Sequence, residues 1–341
     1  MKILCICDLA ILPEAMAPMK NLEKYGNEVI LFKDEQMMSV ENISNVMREY
    51  EQGGADASPA NPELLPLVKD VDIIVTHTSL VNAEVIEAAP GLKMIATLRS
   101  GMTNLSIALC EKKGIKIISA EGRNAHAVAD CTVGLMLAES RNIARGHKFM
   151  MEGNWRKRFL NEKYVHDFRK CTVGIIGAGQ IGRKVIDRLF AFGCKVIVHD
   201  PFMTDAEISG LGHDSVSLEE LLTQSDFVSL HMRMSEKTEN FISKRELDKM
   251  KKTAYFINTS RSGLVNEADL IEALQNQTIG GAALDVFNDE PLGADSPFLE
   301  LENITMTPHL AGTTVDSFAN SVEIIKGELA KMFESSDGIL S

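Results

Sequence analysis

The sequence has no long apolar run and no excess of basic residues. None of its hydrophobic stretches approaches the roughly 20 residues that a membrane-spanning helix requires. The N-terminal MKILCICDLA also lacks the pattern of a secretory signal peptide. A net charge of −13 disfavours nucleic acids and anionic membranes as partners, because both attract basic surfaces. We therefore expect a cytoplasmic protein that binds neither.

Cysteine is sparse and shows no metal-binding spacing. The six cysteines stand in apolar contexts, without a CxxC pair or a cluster of histidines. We predict reduced core cysteines and no metal site. The length of 341 residues, 45% of them hydrophobic, is more than one core usually holds and predicts two domains.

Short β-branched runs alternate with helical patterns, which is typical of parallel sheets covered by helices on both faces. The first third contains the predicted strands KILCIC, EVILF, VDIIVT, LKMIAT and IKIIS. The helices predicted between them are PEAMAPMKNLEKY, VENISNVMREYE, NAEVIEAA and SIALCEKKG, and residues 51–62 are predicted to form a surface loop. A long helix at 124–151, rich in Ala and Gly, indicates a linker between domains or a subunit interface.

A second series of strands begins halfway along the chain with TVGIIG. It continues through CKVIVHD, DFVSLHM, TAYFINTS and GGAALDVF. Three glycines, Gly177, Gly179 and Gly182, directly follow its first strand and open an amphipathic helix. In this context they permit a tight turn, close approach of a pyrophosphate to the backbone and close packing of helix and strand.

The amides at the start of this helix favour phosphate, and Asp200 ends the next strand, where it can accept hydrogen bonds from an adenosine ribose. The alternative is an ordinary turn between strand and helix with an incidental aspartate. Strand, helix and acid together favour a dinucleotide site.

The chain as a whole resembles the NAD-dependent D-isomer-specific 2-hydroxyacid dehydrogenases, the family that includes phosphoglycerate, glycerate and formate dehydrogenases. Four separated motifs carry the resemblance, in the family's order and spacing. They are GIIGAGQIG with VIVHDP, FINTSRSGLVNEADLIEAL, GGAALDVFNDEPL and ITMTPHLAGTT.

The resemblance implies an α/β protein of two doubly wound parallel-sheet domains. A flavodoxin-like substrate domain would be discontinuous, formed by residues 1–120 and 312–341. A Rossmann NAD-binding domain would occupy 121–311 and include the 124–151 helix as a dimerisation arm. We accordingly expect NAD as cofactor, a 2-oxo or 2-hydroxy acid as small-molecule partner, and a homodimer.

The resemblance also implies roles for individual residues. Arg261 matches the arginine that binds the substrate carboxylate and polarises its carbonyl, and Glu290 and His309 match the acid/base pair. The implied cofactor-binding residues are Gly177, Gly179, Gln180, Ile181, Gly182, Asp200, His231, Thr259, Ser260, Asp285 and Gly312. The implied substrate-binding residues are His77, Arg99, Ser100, Gly101 and Arg261.

These residue types suit the chemistry. Reduction of a 2-oxo acid needs a hydride, a proton for the new hydroxyl and a fixed cation for the carboxylate. Histidine and arginine supply the last two. Each residue also has a structural alternative: Arg261 could cap a strand end, Glu290 could be a turn acid, and His309 could be a buried, satisfied histidine. Their joint placement at strand ends favours the catalytic interpretation.

Several positions depart from the family pattern. Ser262 stands where Gly is usual and Arg233 where Pro is usual, and neither change removes a group from the chemistry. Ser106 replaces an aspartate in the substrate loop and is expected to cap the helix that follows. Thr76, His77 and Thr78 occupy positions where phosphoglycerate-acting members carry arginines, which disfavours phosphoglycerate. An ACT-type regulatory domain and serine feedback are likewise not expected.

A second function class remains open at the sequence level. The C-terminal-binding corepressors resemble the same family and keep the same three catalytic residue types, but act as nucleotide-sensing binding proteins. They add a groove for partner peptides and often disordered tails. The near absence of extensions beyond two domains favours the enzyme.

Overall fold

The computed structural model describes residues 1–335, and the chain divides into two compact units. The first unit comprises Met1–Asn124 together with the chain from Thr314, and the second comprises Ala125–Thr313. Each unit is built on one parallel sheet, which confirms the predicted α/β class. Among residues 1–335, no helix is both long and apolar enough to span a bilayer.

The first unit has a five-stranded parallel sheet in the order β2-β1-β3-β4-β5, the order of flavodoxin-like folds. All five strands lie where the apolar runs predict them. They are β1 (Lys2–Cys7), β2 (Glu28–Lys33), β3 (Ile73–Thr76), β4 (Met94–Thr97) and β5 (Lys116–Ser119). Apolar clusters cover both faces of the sheet. Side chains on both faces are therefore buried, which is why most of its strand residues are hydrophobic.

The helices of the first unit connect these strands and include the C-terminal helix. They are α1 (Pro13–Met16), α2 (Val40–Gly53), α3 (Leu64–Leu67), α4 (Ala83–Ala88), α5 (Ile107–Lys113) and α13 (Val315–Glu334), with 3₁₀ turns at Ala17–Tyr25, Glu35–Met37 and Ala55–Ala57. Part of the predicted 51–62 loop is therefore helical.

Two local predictions in this unit are wrong. The single helix predicted over 13–25 changes to a 3₁₀ helix after Met16. The reason is Pro18, which cannot donate to the carbonyl of Glu14 and whose ring crowds that carbonyl in an α-helix. Ser106 precedes α5 without capping it, because its hydroxyl donates to the carboxylate of Asp56 instead.

The second unit has a seven-stranded parallel sheet in the order β12-β11-β10-β9-β6-β7-β8. The strands are β6 (Thr172–Ile176), β7 (Lys195–His199), β8 (Asp214–Ser215), β9 (Phe227–Leu230), β10 (Tyr255–Asn258), β11 (Gly281–Leu284) and β12 (Ile304–Met306). The order reverses between β6 and β9. Such a reversal opens a crevice at the carboxyl edge of a doubly wound sheet, and ligands bind there.

Helices cover both faces of this second sheet over two apolar clusters. They are α6 (Ala125–Ser140), α7 (Ile143–Met151), α8 (Gln180–Phe192), α9 (Asp205–Gly210), α10 (Leu218–Gln224), α11 (Lys244–Leu247) and α12 (Glu267–Gln275), with 3₁₀ turns at Phe168–Lys170, Ser262–Leu264 and Pro297–Glu300. The predicted single helix at 124–151 is thus two helices. Asn142 separates them in a left-handed conformation (φ 57°), which Asn tolerates better than most residues.

The buried carboxylate of Glu139 on α6 pairs with Arg145 on α7 and contacts β11 and β12. Arg145 donates to both carboxylate oxygens of Glu139, at 2.8 and 3.0 Å, and Thr305 of β12 donates to the same carboxylate at 2.6 Å. Burial raises the pKa of Glu139, while these hydrogen bonds oppose the rise. Gly281 of β11 lies against the carboxylate, since a Cβ there would come within 2.5 Å of Glu139 Oε1.

Removal of the positive charge of Arg145 should destabilise the folded protein. Arg145→Met leaves the buried Glu139 carboxylate without its partner, and we expect a loss of roughly 3 kcal/mol in the free energy of unfolding. Urea denaturation of both proteins measures the difference. The control is Arg141→Met, which removes an exposed arginine from the turn just before α7. Equal stability of the two variants would contradict the structural role of the pair.

Candidate active site

The predicted cofactor and catalytic residues of the second unit follow the carboxyl ends of its parallel strands. Because parallel strands end at one edge, residues far apart in sequence are brought to the same side of the sheet. The loops after successive strands carry Gly177–Gly182 (β6), Asp200 (β7), His231 (β9), Thr259–Arg261 (β10), Asp285 and Glu290 (β11), and His309 and Gly312 (β12).

The turn after β6 has the shape that its glycines predict. Gly177 has φ 98°, which L side chains rarely adopt, and a Cβ on Gly182 would lie 2.0 Å from the carbonyl oxygen of Gly177. A Cβ on Gly179 would meet no atom within 4 Å, so the backbone is open on this side. Gly179 is the N-cap of α8 and supplies no side chain to the free amides, which leaves them available to a phosphate.

Asp200 lies beside this turn. One carboxylate oxygen accepts a hydrogen bond from the amide of Ala178 at 2.8 Å, and the other accepts from the amide of Phe202 at 2.8 Å. Both bonds fix the carboxylate at the end of β7, next to the glycine turn. Gln180 and Ile181 are the first two residues of α8.

His231 packs behind the glycine turn as a neutral side chain. Its carbonyl carbon would lie 2.9 Å from a Cβ on Gly177, and its Nε2 is 2.9 Å from the hydroxyl of Ser229. Burial lowers the pKa of His231 to about 3. Its Nδ1 is buried and has no partner among residues 1–335, which leaves one polar atom of this loop unsatisfied.

The loop after β10 presents one exposed cation on a fixed backbone. The hydroxyl of Thr259 is 2.7 Å from that of Thr132 on α6, and the hydroxyl of Ser260 donates to the side chain of Asn258 at 2.8 Å. Asn258 in turn donates to the carbonyl of Arg261 at 3.0 Å. Arg261 uses Nη1 to bind the carbonyl of Ser260 at 2.7 Å, and its side chain is exposed to solvent.

Glu290 and His309 form the predicted pair. Nδ1 of His309 lies 2.7 Å from Oε2 of Glu290, and the other oxygen of Glu290 accepts from the amide of Phe287 at 2.9 Å. The carboxylate therefore assigns the hydrogen to Nδ1 and fixes the ring. Nε2 of His309 contacts no hydrogen-bond partner in the described chain, and 51% of the side chain is exposed. That nitrogen is positioned to exchange a proton with a ligand.

Asp285 holds the backbone that carries His309. Its carboxylate accepts from the hydroxyl of Thr307 at 2.6 Å and from the amides of Leu310 and Ala311, both at 2.9 Å. Asp285 is buried, so these three bonds satisfy a charge that burial would otherwise destabilise. The predicted cofactor residue is thus also the anchor of the 307–311 turn, and Gly312 follows directly.

These features fit a dinucleotide. The open face at Gly179 and the uncapped amides of α8 suit a pyrophosphate, and the fixed carboxylate of Asp200 suits a ribose diol.

No group of three or more metal-ligating side chains occurs within residues 1–335.

The substrate residues predicted in the first unit follow its strands in the same way. His77, after β3, is buried and has Nδ1 3.0 Å from Oδ2 of Asp8. Arg99, after β4, binds the hydroxyl of Tyr50, and Ser100 and Gly101 beside it are exposed.

Two arginines near these edges were not singled out by the sequence. Arg183 on α8 donates from Nε to the carbonyl of Ala178 at 2.8 Å and so places a positive charge at the glycine turn. The position of Arg183 directly after Gly182 is the sequence signal that could have identified this arginine. Arg123 follows β5 in the first unit, and a search for cations after every predicted strand would have included it.

Comparison with known proteins identifies the family. Residues 133–311 match the model of the D-isomer specific 2-hydroxyacid dehydrogenase NAD-binding domain. A glyoxylate reductase of Korarchaeum cryptofilum is 34% identical over 80% of this chain and 83% of its own length. A D-3-phosphoglycerate dehydrogenase of Methanocaldococcus jannaschii is 34% identical over 86% of this chain, but the match spans only 55% of that longer protein.

Comparison with solved structures supports the same family. The crystal structure of an NAD-dependent formate dehydrogenase from Staphylococcus aureus, in complex with NAD, matches 98% of this chain with a TM-score of 0.65 and 26% identity, over 96% of its own length. The chain therefore belongs to the D-isomer specific 2-hydroxyacid dehydrogenase family and is an NAD-dependent oxidoreductase that interconverts 2-oxo acids and D-2-hydroxy acids.

Proposed function

We propose that the reaction is carried out by Arg261, Glu290 and His309. The observation that carries this proposal is the 2.7 Å contact between His309 and Glu290, with Nε2 of His309 unoccupied, at the same sheet edge as the glycine turn. A buried, satisfied histidine would lack that free and exposed nitrogen. The exposed guanidinium of Arg261 at the neighbouring strand end supports its role in carboxylate binding.

The cofactor, when bound, supplies the hydride in the reductive direction. Arg261 binds the substrate carboxylate through its planar fork of donors. His309, protonated on Nε2, donates that proton to the carbonyl oxygen of the 2-oxo acid as the new hydroxyl forms. Glu290 keeps the imidazole oriented through Nδ1 and stabilises its positive charge. In the oxidative direction neutral His309 accepts the proton at the same atom.

We further propose that the cofactor is held by the glycine turn with Gln180 and Ile181, Asp200, His231, Thr259, Ser260, Asp285 and Gly312. The substrate would contact His77, Arg99, Ser100 and Gly101. The exposed charge of Arg183 beside the glycine turn adds attraction for a pyrophosphate.

A cytoplasmic homodimer is the proposed physiological form. Large apolar side chains are exposed on α7 and the chain after it, and such clusters indicate a covered surface; they include Ile143, Met150, Met151, Trp155 and Leu160. The absence of disulfides among the six cysteines suits a reducing compartment. Static light scattering distinguishes the dimer from a 37.5 kDa monomer.

The activity is tested by following NADH oxidation with a panel of 2-oxo acids that includes glyoxylate, hydroxypyruvate and 3-phosphohydroxypyruvate. We expect stoichiometric conversion to the D-hydroxy acid, measured by chiral chromatography. Lack of turnover with every acid, in protein that still binds NADH, would contradict the enzymatic proposal and favour a nucleotide-sensing binding protein.

Replacement of the acid/base pair should affect proton transfer more than cofactor binding. We expect His309→Asn to lower kcat by roughly 10²- to 10⁴-fold. Asn is chosen because it tolerates the left-handed backbone of residue 309 (φ 50°). Glu290→Gln should cause a smaller loss, since it keeps a hydrogen-bond acceptor but removes the charge that stabilises the imidazolium. Fluorescence titration should show unchanged NADH binding, and exposed His166→Asn is the control.

The two directions should have opposite pH dependence. Reduction requires the imidazolium form of His309, so its rate should fall as pH rises, whereas oxidation requires the neutral form and should fall as pH decreases. Initial rates in both directions between about pH 5 and pH 10 measure this. Parallel profiles in the two directions, or near-normal kcat in His309→Asn, would place the proton transfer elsewhere.

Asp200 should set the choice of dinucleotide. A 2′-phosphate would lie against its fixed carboxylate, where like charges about 4 Å apart repel by a few kcal/mol. We expect kcat/KM for NADH to exceed that for NADPH strongly, and Asp200→Ala to reduce the ratio. Asp187→Ala, at an exposed position on α8, is the control. Equal kcat/KM for NADH and NADPH in the wild-type protein would contradict this role of Asp200.

A further inference from the structure

The loop after β11 is joined to α12 by a carboxylate that the proposed chemistry does not use. Glu267, the first residue of α12, accepts a hydrogen bond from the backbone amide of Asn288 at 2.6 Å. Asn288 lies two residues before Glu290 in the same loop. Glu267 therefore attaches the backbone that carries one member of the proposed acid/base pair to a helix of the same unit.

Two consecutive amides of this loop donate to two different carboxylates. The amide of Phe287 donates to Oε1 of Glu290 at 2.9 Å, and the next amide, that of Asn288, donates to Oε1 of Glu267. The first bond orients Glu290 relative to its own loop, whereas the second joins the loop to α12. The bond to Glu267 thus helps to set where Oε2 of Glu290 meets Nδ1 of His309, 2.7 Å away.

The segment that carries Glu290 gains little stability from packing. Asn288, Asp289 and Glu290 are exposed, although Phe287 directly before them is buried. A segment with few buried contacts moves easily unless hydrogen bonds restrain it. Loss of the acceptor on Glu267 should therefore loosen the loop at the point where it positions Glu290.

The carboxylates of Glu267 and Glu290 also interact through their charges. Burial raises the pKa of Glu267, and the negative charges of Asp289 and Glu290 raise it further, while the hydrogen bond from Asn288 opposes the rise. By the same interaction, a negative charge on Glu267 favours a positive charge beside Glu290. That positive charge is the imidazolium form of His309, which the reductive direction requires.

The cations of α11, which packs against α12, are directed to other carboxylates. Their pairs, both at 2.7 Å, are Lys244 with Glu272 and Arg245 with Glu246. The charge of Glu267 therefore acts mainly on the loop after β11.

We propose that Glu267 is a positioning residue for proton transfer: it holds the Glu290 loop through the amide of Asn288, and its charge favours the protonated form of His309. This inference rests on the proposed function, because it takes Glu290 and His309 as the acid/base pair. Glu267 acts through Glu290 and is not itself a catalytic residue.

Two substitutions separate the hydrogen bond from the charge. Glu267→Gln keeps an oxygen that can accept from Asn288 but removes the negative charge. At low pH, where His309 is protonated in both proteins, kcat for reduction should stay close to the wild-type value. The fall of the reduction rate with rising pH should begin at lower pH than in wild type, because the imidazolium loses a stabilising charge. The shift should be smaller than in Glu290→Gln.

Glu267→Ala removes the acceptor as well as the charge. We expect the same shift of the pH profile and, in addition, a loss of roughly 10-fold in kcat at the optimum, because small misplacements of a catalytic group are costly. The KM for NADH should be unchanged. Initial rates of NADH oxidation with the best 2-oxo acid of the panel, measured across pH, give all three quantities. Glu272→Ala, which removes an exposed carboxylate from the same helix, is the matched control and should match wild type.

Thermal unfolding distinguishes positioning from a purely structural role. Because Asn288 is exposed, water can bind its amide in Glu267→Ala, so the unfolding temperature should stay near that of wild type. A structural role predicts a lower unfolding temperature with wild-type kcat and pH profile in the folded protein, and that result would overturn the proposal.

Two further results would overturn the positioning role and leave the proposed function intact. One is wild-type kcat in Glu267→Ala while His309→Asn is impaired. The other is an equal loss of kcat in Glu267→Gln and Glu267→Ala without a shift of either pH profile. Near-normal kcat in His309→Asn, or failure of the wild-type protein to reduce any 2-oxo acid, would overturn the proposed function and this inference with it.

Discussion

The carboxylate of Asp285 organises the candidate site of the second unit. It accepts three hydrogen bonds from the 307–311 turn, and that turn places His309 within 2.7 Å of Glu290. Because Asp285 is buried at the end of β11, the bonds are not weakened by competition with water. The position of the imidazole is therefore set by a group that does not itself reach the reacting atoms.

In both units the parallel sheet brings the candidate site residues to one edge. A parallel sheet brings the ends of all its strands to one edge, so residues from 177 to 309 occupy one edge in the second unit, and residues from 8 to 123 occupy one edge in the first. Glu139, which is paired with Arg145, also supports this arrangement, because Thr305 of β12 donates to its carboxylate and so links α6 to the strand that precedes His309. Residues outside the site thus contribute to its geometry through the sheet.

Much of the fold and part of the site could be predicted from the sequence. Apolar runs and glycine spacing locate the buried strands and the turn at Gly177, because those signals depend on local chain geometry. The Glu290–His309 contact followed from the family resemblance and not from spacing. Two features could not be predicted, since each depends on a partner distant in sequence: the break at Asn142, whose side chain donates to Asn161, and the hydrogen bond of Ser106 to Asp56. The buried Nη1 of Arg123 has no acceptor among residues 1–335, and this too is a property of its surroundings that leaves no trace in the sequence.

The left-handed backbone of His309 also limits how this position can change during evolution. With φ at 50°, most side chains, and β-branched ones above all, would strain the turn, while Asn, Asp and Gly would be accommodated. A substitution at position 309 that leaves the turn unstrained is therefore confined to these three residues.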